Sequence, residues 1–119
     1  MDKSIKEILS NMFMNKNEVL NKKVSKLKEK VKYCLELSKI ELENRKNGIN
    51  GEGTIEQLEE DVIPDLTRFL KILENKEIPK NRQQRYLNSF GCAFRMWEWE
   101  PSELYVKLSE IHHDYQDLL

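Results

Sequence analysis

The sequence predicts an all-α protein, a single-domain irregular bundle of four to five helices, on three observations. Apolar residues recur at three- and four-residue spacing along most of the 119 residues. Glycine, at four, and proline, at three, are scarce. No strand-like alternation lasts beyond a few residues, and no internal repeat is visible. The length suits one domain spanning 1–119 with one hydrophobic core, broken by a flexible loop near 47–53.

Each helix has its own signal. Ile5, Ile8, Leu9, Met12 and Phe13 share a face and predict a short first helix. The polar run from Asn15 to Asn17 interrupts that face, and either asparagine can cap the next helix. Leu20, Val24, Leu27, Val31, Leu35 and Leu42 then mark a long second helix, with Cys34 and Ser38 beside the stripe. It should end near Lys46, because the Gly48–Gly53 run, GINGEG, is expensive to hold as helix.

Thr54 and Gln57 form a capping box for the third helix, whose stripe is Ile55, Leu58, Val62, Leu66, Phe69 and Leu73. Pro64 lies inside that pattern. It removes a backbone donor and disfavours a helical residue before it, so a kink or restart is expected near Ile63.

Pro79 and Asn81 are expected to open a fourth helix over residues 80–98. Tyr86, Phe90, Phe94 and Trp97 step by four, four and three along it, which aligns four large rings. Rings dominate burial in a small core. This helix is therefore expected to be the central element, with the core around Phe69, Phe90, Phe94, Trp97, Leu108 and Ile111. Truncating Phe94 should then carry the full cost of deleting a buried ring. Pro101 suits the first turn of a last helix with the stripe Leu104, Leu108, Ile111, Tyr115 and Leu118.

Little in the composition suggests chemistry. The start, Met1-Asp2-Lys3-Ser4-Ile5-Lys6-Glu7, lacks the apolar stretch of a signal peptide, and no run is long enough to span a bilayer. A cytoplasmic protein with no membrane partner is expected, with Cys34 and Cys92 as free thiols. Glu110 and His113 have the Glu-x-x-His spacing of di-metal bundles, but those sites need two such pairs and two further glutamates. His113 also points away from the last helix's stripe, with His112 at its flank. Arg85 and Arg95 can lower the Cys92 pKa, but no histidine is close to it in sequence. The Gly-rich loop lacks the Lys-Ser/Thr of a phosphate cradle. No catalytic residue, metal site or cofactor is assigned.

Charge is more informative. The formal net charge is -1, but residues 1–46 carry a net of +5 and residues 47–119 a net of -6. Opposite charges on successive segments of one fold first meet each other. Glu56 and Glu60 share an outward face of the third helix, and they are expected to contact a partner together with Asp61 and an exposed aromatic surface near Trp99. In size, charge and lack of chemical motifs the chain is similar to small helical immunity and antitoxin proteins. That likeness implies a non-enzymatic inhibitor of a cationic, nuclease-like protein. The alternative is a nucleic-acid-associated regulator using Lys22, Lys26, Lys30, Arg82 and Arg85, because basic residues among aromatics mark single-strand binding.

Overall fold

The computed structural model describes residues 5–99 and 102–119, with side chains from residue 17 onward. Among these residues there are four α-helices and no strand: α1 (Ile5–Lys46), α2 (Ile63–Glu74), α3 (Asn88–Arg95) and α4 (Glu103–Gln116). A π-helical turn, Gln57–Val62, runs directly into α2, and a 3₁₀ turn covers Arg82–Gln84. No helix is long and apolar enough to cross a membrane.

α1 is one helix of 42 residues where two were expected. Asn15 and Asn17 lie within it and start nothing. Asparagine in a helix interior costs less than about 0.7 kcal/mol relative to alanine, too little to break a helix flanked by Lys16 and Glu18. At about 1.5 Å per residue, α1 accounts for the longest dimension of the molecule, 63 Å. The radius of gyration is accordingly 17.8 Å, against about 13–14 Å for a rounded chain of this length. The Ile5–Phe13 stripe lies outside the described side chains.

The core sits along the C-terminal part of α1. Val24, Leu27, Val31, Cys34 and Ser38 step alternately by three and four and are all buried. Against them pack Leu58, Val62, Leu66, Phe69 and Leu73, and from the other side the α4 stripe Leu104, Leu108, Ile111 and Tyr115. Phe69 and Tyr115 join the two sides with ring centroids 4.5 Å apart. Tyr33 and Ile40, off that stripe, remain exposed, although the Tyr33 hydroxyl donates to Glu103 of α4.

The capping box forms in full. Thr54 N–H donates to Gln57 Oε1 at 3.0 Å, and Gln57 N–H to Thr54 Oγ1 at 3.1 Å. The expected restart at Ile63 is also present. Ile63 N–H reaches back five residues to Leu58 O, and α-helical register begins there with Pro64 in the first turn. The five-residue register places the change of hydrogen bonding just before the proline ring, which cannot donate to the preceding turn. Arg45 closes the glycine-rich loop, donating to the carbonyls of Ile49, Glu52 and Gly53.

The aromatic helix is where expectation and structure part. α3 has only eight residues. Asn81 caps the 3₁₀ turn instead, its Oδ1 accepting from Gln83 N–H at 2.9 Å, and the backbone is extended at Leu87. Tyr86 is 54% exposed and Phe94 62% exposed, while Phe90 and Trp97 are half-buried. Phe94 is therefore not a core residue, and the central elements are α1, α2 and α4. The remaining expected core members, Phe69, Leu108 and Ile111, are buried. Pro101 lies outside the described residues. Ser102 caps α4, its Oγ accepting from Tyr105 N–H at 3.1 Å.

Candidate functional site

α3 is held in place by its neighbours. It has no side-chain cap of its own. Asp65, from α2, is buried and accepts Ser89 N–H on Oδ2 at 2.8 Å, with Arg68 on Oδ1. A carboxylate here meets the positive end of the helix dipole. From α4, His112 Nδ1 accepts Leu87 N–H at 3.1 Å, which requires an unprotonated Nδ1. Burial, then the charges of His113 and Arg82, holds the His112 pKa below its ordinary value. So mounted, α3 is a ridge with a different groove on each side.

The flank facing α2 is acidic. Glu60, Asp61 and Asp65 line a shallow groove of about 340 Å³ together with Arg68, Asn88, Ser89 and Cys92. Glu56, Glu60 and Asp61 are exposed and form no ion pair among the described residues. Glu59 reaches across to Lys46 at 3.8 Å. Trp99 is half-buried, not an open contact. Its ring lies 5.1 Å from that of Trp97, and its Nε1–H donates to Gln57 Oε1 at 3.3 Å. It thereby braces the capping residue of the segment that carries Glu56 and Glu60.

Cys92 sits beside carboxylates and not between cations. Burial raises its pKa, and Asp61 and Asp65 raise it further. Burial pushes the Cys34 thiol up to about 12. Neither is an activated nucleophile. Glu110 lies 3.6 Å from Lys107, and His113 Nδ1 lies 2.7 Å from Ser109 O. Among the described residues no group of three or more His, Cys, Asp or Glu is arranged to hold a metal ion.

The residues of the alternative basic face are dispersed. Arg85 is buried, Lys30 pairs with Asp114 at 2.5 Å, and Arg82 with Asp117 at 3.2 Å. Lys22 and Lys26 stay exposed, and Lys26 lines a groove shared with Asp114 and Asp117.

The other flank of α3, facing α4, is an open groove of about 770 Å³. Phe90 is its hub, with ring centroids 5.9 Å from Phe94, 5.8 Å from Tyr105 and 4.9 Å from His112. Tyr86, Phe94 and Met96 line it and are exposed. Sequence reasoning missed this groove because it assigned the aromatic face to the core. The available signal was the acid-free run of residues 79–97, which carries both the rings and Arg95. No known protein-family profile matches the chain, and neither does any curated protein or solved structure.

Proposed function

We propose that the protein is a non-enzymatic protein-binding module, most concretely an immunity- or antitoxin-type inhibitor that docks a cationic, nuclease-like protein on Glu56, Glu60 and Asp61. The observation that supports this reading is the grouping of three exposed carboxylates, Glu56, Glu60 and Asp61, on one segment. None of the three forms an ion pair among the described residues, whereas Lys30 and Arg82 are held in ion pairs and Arg85 donates to backbone carbonyls. Complementary charge on such a face speeds encounter and selects partners. Of the basic set that the nucleic-acid alternative invokes, only Lys22 and Lys26 stay exposed without an ion pair among the described residues. Asp114 and Asp117 border the same groove as Lys26, whereas such binding needs a continuous basic surface.

The test is capture of a partner from the source cell, followed by binding kinetics with Glu56→Lys/Glu60→Lys at low and high salt. The expected partner is basic. The double variant should lower the association rate by about tenfold or more while changing dissociation much less, because peripheral charges act by long-range steering. The difference should shrink towards 1 M salt, where the Debye length falls to about 3 Å. An acidic partner, or association unchanged by the reversal, contradicts the proposal.

A further inference from the structure

The acidic flank leaves the α3–α4 groove unexplained, and that groove differs from it in both polarity and charge. Exposed rings scattered singly need no account, but contiguous ones do. Here Tyr86, Phe94 and Met96 are 54%, 62% and 73% exposed around one depression whose floor is Phe90 and Tyr105. Its volume of about 770 Å³ exceeds what a single side chain occupies. The exposure of its walls makes it an open trough and not an enclosed cavity.

Charge defines what fits. No aspartate or glutamate lines the groove. Its charged wall residue is Arg95, which is exposed and has no ion pair or hydrogen bond among the described residues. The other polar walls include Gln83, Ser109, His112 and His113. A guanidinium at the edge of aromatic surface selects a carboxylate carried beside an apolar group, since it can donate two parallel hydrogen bonds to one carboxylate. A lysine- or arginine-bearing segment would find no counter-charge there.

From this complementarity we infer that the groove between α3 and α4 docks a short segment of a partner protein that presents a large apolar side chain next to an aspartate or glutamate. The apolar side chain seats among Phe90, Phe94 and Tyr105, and the carboxylate pairs with Arg95. Large apolar side chains that lose their water on docking dominate the energy of small interfaces. The site is separate from Glu56, Glu60 and Asp61, and the inference does not depend on what those residues bind.

A random 12-residue peptide library displayed on phage, selected on the full chain, tests it directly. The counter-target is Phe94→Ala/Met96→Ala, whose side chains are exposed enough that folding should survive, with circular dichroism as the check. Sequences enriched on the native chain should pair a large apolar residue with Asp or Glu within two positions. They should be retained at least tenfold less by the counter-target. Selection on Arg95→Glu should exchange the acidic preference for Lys or Arg. Three results overturn the inference: no sequence that discriminates the native chain from the counter-target, enrichment of basic-apolar sequences on the native chain, or an acidic preference unchanged in Arg95→Glu.

Discussion

Arg85 is 2% exposed and forms no ion pair among the described residues. Its guanidinium donates to the carbonyls of Pro79 and Lys80 at 2.9 Å each, and twice to Gln116 O, at 2.8 and 3.2 Å. Gln116 ends α4, where the carbonyls lack helical partners and the dipole is negative, so a cation there is favoured. One side chain thus ties the turn before α3 to the end of α4. His112 makes the complementary link and adds a pH dependence. Its pKa is lowered in the fold from 6.5, so the unfolded chain takes up a proton first as pH falls. The stabilisation is complete above that value and is lost as pH drops towards the lower native pKa. Urea melts between about pH 7.5 and about pH 5.5, above most carboxylate titration, should show the native chain losing stability. His112→Gln, whose amide oxygen can accept the Leu87 bond without titrating, should lose less. Equal losses would contradict this role for His112.

At the scale of the element, α3 depends on others for its existence. Isolated helices shorter than about 12 residues are marginal in water, and α3 has eight. Asp65→Ala removes both the acceptor for Ser89 N–H and the partner of Arg68. It should cost about 1.5–3 kcal/mol, the range for losing hydrogen bonds to a charged group. Hydrogen exchange at the Ser89 amide should accelerate beyond what the global loss explains. An amide exchanging at the native rate would argue against this cap. The same dependence explains how far the sequence was legible. The stripes of α2 and α4 and the later part of α1 could be read because each buries one face, and burial leaves a period. The Thr54–Gln57 box could be read because its partners are three residues apart. The extent of α3 could not, since it is set by Asp65 and His112 from other helices. Ring spacing showed which residues share a side but not whether anything covers that side. The same periodicity placed Glu56 and Glu60 outward, and both are exposed, whereas the fate of Lys30, Arg82 and Arg85 depended on partners distant in the chain.

For the whole molecule, the charge asymmetry between the two halves of the sequence is partly resolved by folding. Lys30 and Lys46 on α1 meet Asp114 and Glu59 from the later half. The surplus acid stands on one flank of α3 and the uncovered rings on the other, which leaves α3 as a ridge between two surfaces of different character. The core proper is α1 with α2 and α4, so the fold and these two surfaces can be altered separately. Paired denaturant melts of Leu108→Ala and Phe94→Ala test that division most directly. Leu108 is 0% exposed, and its truncation should cost about 2–5 kcal/mol. Phe94→Ala should cost less than about 1 kcal/mol, as expected of an exposed position. Equal losses in the two variants would return Phe94 to the core and remove the aromatic surface on which the account rests.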